Sequence, residues 1–247
     1  MTENYKANVY KLGNISFTVP PNQGPELEYL DALLPQGSHS DFITIPEGMV
    51  YDLRSLQNLI LEKHRGLIWL DAGCLINKSD KKLLIVGMSG AGKSTTTMAL
   101  AIGYRWKVIA EDILLIDTKT DRLITLGAPF SLKPGTLELL KKSIGAVPTP
   151  IFDDEWAPLG DLASYELNTA HFDYAVYFES KAIPPRPMCA SEITVGNYFR
   201  QILSTSNILR LRDAPDKMLE YLNSAKCFSI SGGSLKERLD YILEHCA

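Results

Sequence analysis

Residues 83–95 read LLIVGMSGAGKST: four aliphatic residues run straight into a loop holding three glycines, a lysine, two serines and a threonine. An unbroken apolar run of that length reads as a strand. Gly87, Gly90, Gly92, Lys93 and Ser94 satisfy G-x-x-x-x-G-K-[ST]. Glycines let successive backbone N–H groups converge on an anion without Cβ clashes. TTTMALAIG follows as a helix, whose positive end would face the same anion. The stretch therefore predicts a phosphate cradle formed by Gly87, Ser89, Gly90, Ala91, Gly92, Lys93, Ser94 and Thr95. The Lys93 ammonium would neutralise phosphate oxygens, and the Ser94 hydroxyl would bind Mg²⁺.

Strand and helix patterns alternate around the cradle. Two short strands are expected within residues 5–19, with a turn at Gly13-Asn14, and a helix over 50–63. GLIWL (66–70) reads as a strand, followed by the polar connection INKSDKK. The helix after the loop is expected to close at Gly103. WKVIA (106–110), ILLID (113–117), RLITL (122–126), FDYAVYF (172–178) and CFSI (227–230) read as strands. Helices are expected from Thr136 and over 192–204, 214–224 and 234–245. Several strands follow one another as hairpins, so the fold class is α/β with a mixed sheet. A small β-containing region (1–55) would precede the main domain (56–247).

A net charge of -4, with both signs mixed along the chain, offers no basic stripe for nucleic acid. No apolar run approaches the ~20 residues of a membrane helix, and the polar N-terminus lacks a signal-peptide core. A cytoplasmic setting, with ATP and Mg²⁺ at hand, is expected. Cys74, Cys189, Cys227 and Cys246 are too scattered for a zinc site and read as inert thiols. His39, His171 and His245 have no metal-ligand spacing. ISGGS (230–234) reads as a glycine turn with Ser234 capping the last helix.

A phosphate cradle used for transfer needs carboxylates nearby. Glu111-Asp112 lies between WKVIA and ILLID, and Asp117 ends ILLID. Strand alternation would aim Glu111 and Asp112 apart, but a bend could turn both to one site. One would hold Mg²⁺, Asp112 with Ser94. Another would accept the proton of an attacking hydroxyl, and Glu111, Asp112 and Asp117 stay open for that role.

In this order the motifs resemble the HPr kinase/phosphorylase family. The loop is followed by a strand and an acidic pair, Glu111-Asp112, where the family has Asp-Asp. FSLKPGTLELL (130–140) is similar to the family's LKPG segment. IPPRPMCASEITVGNYFR (183–200) resembles its PVRPGRN…NFR stretch, which would match Arg186 to a catalytic-loop arginine and Glu192 to the acidic residue after it. His64 resembles the histidine before the first core strand. The likeness covers roughly residues 60–205. It implies a P-loop kinase core of phosphoenolpyruvate carboxykinase-like type, with Lys93, Glu111, Asp112, Arg186 and His64 as catalytic residues. Thr95 stands where the family commonly has Glu, and Met188-Cys189 replaces Gly-Arg after Pro187. Those departures point away from HPr as substrate and toward compact peptide-tailoring serine kinases.

The expected activity is ATP-dependent transfer of the γ-phosphate to a serine or threonine hydroxyl of a peptide or small protein. A small-molecule hydroxyl kinase and a non-catalytic ATP-sensing module are the alternatives. A closed pocket would favour the first of these and an open groove a peptide; homo-oligomerisation stays open.

Overall fold

The computed structural model describes residues 8–12, 15–19, 42–44, 66–125, 128–150, 156–164, 169–179 and 186–247. Strands β1 (Asn8–Leu12) and β2 (Ile15–Val19) form an antiparallel pair, and β3 (Phe42–Thr44) joins β2 in parallel. Leu12 lies opposite Ile15, and the expected Gly13-Asn14 turn lies outside the described residues. The expected 50–63 helix and His64 lie outside the described residues.

The main sheet contains β4 (Ile68–Ile76), β5 (Lys82–Gly87), β6 (Lys107–Ala110), β7 (Ile113–Asp117) and β8 (Arg122–Ile124). β9 (Phe130–Ser131) and β10 (Trp156–Ala157) form a separate two-stranded ribbon. β11 (Tyr174–Phe178), β12 (Cys189–Ile193) and β13 (Lys226–Ser231) complete the main sheet. Its order is β12-β13-β11-β5-β4-β7-β8, with β6 also on β4. β5, β11 and β13 run parallel and the remaining pairs antiparallel, giving a mixed α/β fold.

Helices α1 (Lys93–Tyr104), α2 (Thr136–Ile144) and α5 (Leu235–Cys246) contribute to the core on one sheet face. Helices α3 (Val195–Ile202) and α4 (Ala214–Leu222) contribute to the other. β5 shows why LLIV is apolar throughout. Leu83 and Ile85 pack on the α1 side, Leu84 and Val86 on the α3/α4 side, and all four are fully buried.

Several boundaries differ from the sequence expectations. β4 does not end at Leu70 but continues through DAGCLI to Ile76, because Ala72, Gly73 and Cys74 keep the pleat and bury as well as larger residues. α1 runs past Gly103, which packs against Ile144, and ends with Arg105 in the left-handed region at φ 60°. The 192–204 segment begins as strand: Glu192 and Ile193 pair with β13, and Thr194 then caps α3 by accepting the Asn197 N–H. Gly232 and Gly233 turn at positive φ, and Ser234 with Glu237 forms a reciprocal cap on α5. Cys189 is exposed, unlike the three buried cysteines. Burial pushes the thiols of Cys74 and Cys246 up to about 12 and that of Cys227 to about 11, so those three are poor nucleophiles.

Candidate active site

The loop leaves β5 through a tight passage. A Cβ on Gly87 would lie 2.3 Å from the Phe178 carbonyl oxygen, so only glycine lets β5 and β11 stay paired there. Gly90 (φ 79°) and Gly92 (φ 97°) curl the chain back, and the Ala91 N–H donates to Met88 O at 3.0 Å. Gly92 caps α1 without a side-chain hydrogen bond, and the first turn holds no acidic residue. The positive end of α1 is therefore left uncompensated for an anion.

Asp71 lies on the strand beside the loop. Ile68, Leu70, Ala72 and Cys74 pack on the α3/α4 side. Alternation thus turns Asp71 and Gly73 toward α1. A Cβ at Gly73 would fall 2.1 Å from Thr97 Oγ1, so this glycine lets α1 settle directly onto β4. Lys93 Nζ then reaches Asp71 Oδ1 at 3.1 Å and Oδ2 at 3.2 Å, and donates to Gly87 O at 2.8 Å. The ammonium is buried while the Asp71 carboxylate is partly open to solvent.

The acidic pair sits where β4 changes partners. Residues 68–71 of β4 pair with β7, and residues 74–76 with β6. The chain bends between them, and the Ala72 N–H donates to Asp112 O at 2.9 Å. The bend frees Glu111 and Asp112 from strict alternation. Asp112 lines a cleft of ≈ 160 Å³ with Asp71, Lys93, Ser94, Lys133 and Thr136. Glu111 is buried at 5% exposure beside it. Burial, reinforced by the Asp112 charge, raises the Glu111 carboxyl to about 8, against the opposing effect of a hydrogen bond with Ser94. Its Oε1 has no hydrogen-bond partner. Lys133 reaches the cleft from the LKPG segment, whose Gly135 (φ 80°) caps α2.

A second cavity, ≈ 210 Å³, opens over the opposite side of the same loop. Gly90, Gly92 and Thr95 line both spaces. Arg186 lines the second cavity and not the cleft of Asp112. Arg238, on α5, braces the loop by donating from Nη1 to Ala91 O at 2.6 Å and from Nε to Gly232 O at 2.7 Å, with its guanidinium over the Phe178 ring.

The remaining sequence candidates lie elsewhere. Asp117 closes the β7–β8 turn, accepting from the Lys119 N–H and the Thr120 hydroxyl, both at 2.9 Å. It is five residues along β7 from Asp112, roughly 16 Å at strand rise. Glu192 is exposed on edge strand β12, opposite Phe228. His171 contacts Ser224, and His245 stacks on Tyr241. Ser89 and Thr95 line the cleft, and Ala91 is buried in the loop. Asp71 and Arg238 escaped the sequence reading. Asp71 sits inside what looked like a plain strand end, and Arg238 lies 147 residues from the carbonyl it braces. The ion pair of Lys93 would have been suggested only by an acid on the strand next to β5.

No family model matches the chain, and no curated protein matches it. Among solved structures it is similar to the HPr(Ser) kinase/phosphatase from Coxiella burnetii. The identity is 11% and the TM-score 0.30, over 71% of this chain and 93% of that one. At that TM-score the functional reading rests on the geometry of the site itself. Among the described residues no helix is long and apolar enough to cross a membrane.

Proposed function

We propose that this chain is an ATP-dependent kinase that transfers the γ-phosphate to a hydroxyl, a serine or threonine of a peptide or small protein. The observation that carries the reading is a glycine-built anion cradle with Lys93, Ser94, Glu111 and Asp112 gathered at one side. The phosphoenolpyruvate carboxykinase-like core and a cytoplasmic setting belong to the same proposal. Exposed Ser89, Gly90 and Lys133 bound the cleft, which favours a segment of another chain over a fully enclosed metabolite.

Lys93 would exchange Asp71 for β- and γ-phosphate oxygens, and the loop N–H groups would hold the rest of the charge. Among the described residues no cluster of three or more His, Cys, Asp or Glu could hold a metal alone. Mg²⁺ takes one or two protein ligands with phosphates and water. Ser94 and Asp112 would hold it, and it would supply charge neutralisation on the transferring group. Glu111, buried beside the cleft, would accept the proton of the attacking hydroxyl. Raised to about 8, the Glu111 carboxyl holds its proton at neutral pH in the free protein, and once ionised it would be a stronger base than an ordinary glutamate. The acceptor oxygen bonds to the γ-phosphorus, the β–γ bridging bond breaks, and ADP leaves.

Incubation with γ-labelled ATP, Mg²⁺ and a degenerate Ser/Thr peptide library tests this directly. Label should enter peptide with the wild type and not with Asp112→Asn, while calorimetry shows ATP still bound by the variant. Absence of label with the wild type, or unchanged turnover in Asp112→Asn, would sink the assignment.

A further inference from the structure

We propose that the Arg186/Arg238 cavity receives the base and ribose of the nucleotide, so that the phosphate chain crosses the loop from the arginine side to the acidic side. The inference rests on the kinase reading and deepens it.

The direction follows from the chemistry of displacement. The attacking and leaving oxygens lie roughly in line through the γ-phosphorus. The attacking hydroxyl must meet its base, and Asp71 and Asp112 line the cleft with Glu111 buried beside it. The leaving ADP must then extend to the other side of the loop. The second cavity is there, and Gly90, Gly92 and Thr95 border both spaces. Together they reach the lower part of the range of about 300–1,000 Å³ that small-ligand sites occupy.

The lining suits a nucleoside joined to a phosphate. Leu139 and Leu235 offer apolar faces for a base. Gly232 and Gly233 also line the cavity and pack closely on the 186–188 segment. A Cβ on either would meet Pro187 O at 2.4 Å or the Met188 side chain at 2.7 Å. Arg238 is 8% exposed, and two of its nitrogens hold backbone carbonyls. Its Nη2 makes no hydrogen bond, and no carboxylate pairs with the guanidinium, among the described residues. A buried cation without a counter-charge is costly. An α-phosphate entering the cavity would supply that charge, with exposed Arg186 on its outer side. Arg186 thus contacts the nucleotide rather than the acceptor.

The test separates base from phosphate. Calorimetry compares ATP with inorganic tripolyphosphate on the wild type and on Leu139→Trp. Leu139 is 41% exposed, so the substitution fills the cavity mouth without entering the core. The wild type should bind ATP at least about tenfold more tightly than tripolyphosphate. The variant should lose about tenfold for ATP and less than twofold for tripolyphosphate. Photocrosslinking with 8-azido-ATP should label residues around 139 and 232–238. Equal binding of both ligands by the wild type, an unchanged ATP affinity in the variant, or crosslinks on the Asp112 side would overturn the inference while leaving the kinase reading intact. A wild type that binds neither ligand overturns both.

Discussion

The two sides of the Gly87–Thr95 loop are opposites built on a shared backbone. One side gathers carboxylates, Asp71, Glu111 and Asp112, around a buried lysine. The other gathers two arginines, two leucines and a pair of glycines. The acidic side is shaped by β4, where a change of strand partner bends the chain. The arginine side is shaped by the start of α5 and the segment before β12. The difference teaches that a phosphate loop has a direction. Its glycines bind charge without polarity, and its neighbours decide which end reacts.

The comparison breaks most sharply at Glu111. Glu111→Gln keeps size and hydrogen bonding but cannot take a proton. Transfer should fall by about 10²–10⁴-fold, the usual worth of a positioned base, with ATP affinity nearly unchanged. A rate assay beside a binding isotherm reads both, and an active variant would move the base elsewhere.

Gly87→Ala tests the shared backbone. Its Cβ would press on Phe178 O at 2.3 Å, and overpacking of this kind costs about 1–3 kcal/mol. Chemical denaturation should show that loss, and a stability equal to wild type would mean that β5 and β11 can part cheaply. On the arginine side, Arg238→Met keeps the apolar stem but removes the donors to Ala91 O and Gly232 O. A loss of about 1.5–3 kcal/mol is expected, the worth of a hydrogen bond to a charged group. Unchanged melting of the variant would show that the brace is dispensable.

Titration distinguishes the two sides in the protein without Mg²⁺ or nucleotide. Glu111 is raised from 4.5 to about 8 on folding. Between those values the folded chain keeps a proton that the unfolded chain has lost. Stability should therefore fall as pH rises across that window. Urea unfolding at several pH values should show the decline in the wild type and a flatter profile in Glu111→Gln. Parallel profiles would contradict the burial of the carboxyl.

The smallest effect concerns Asp71. Its partly exposed ion pair with Lys93 is worth up to about 1 kcal/mol. Asp71→Asn should tighten tripolyphosphate binding by at most about fivefold, because the lysine no longer has to leave a carboxylate. Weaker binding in a calorimetric titration would show that Asp71 positions Lys93 rather than competing for it.

How much of this was legible follows from the range of each interaction. The cradle is local: its glycines, lysine and serine are consecutive, so composition and spacing expose them. The bend at Glu111-Asp112 was readable as a break between two apolar runs. Asp71 was hidden because its role depends on β4 lying next to β5 with Gly73 beneath Thr97. Arg238 was hidden more deeply, since a terminal helix had to fold back on the loop. Arg186 was singled out only by the resemblance of its PPRP loop to a family motif, yet three-dimensional placement puts it across the loop from the carboxylates. Asp117 looked equivalent to Asp112 in sequence, but strand rise carries it far from the cleft.

The most direct measurement is a crystal structure of the protein with Mg²⁺ and a non-hydrolysable ATP analogue. The γ-phosphate should lie beside Glu111 and Asp112, with the base against Leu139 and Leu235. A γ-phosphate pointing toward Arg186, with the base in the Asp112 cleft, would contradict the account.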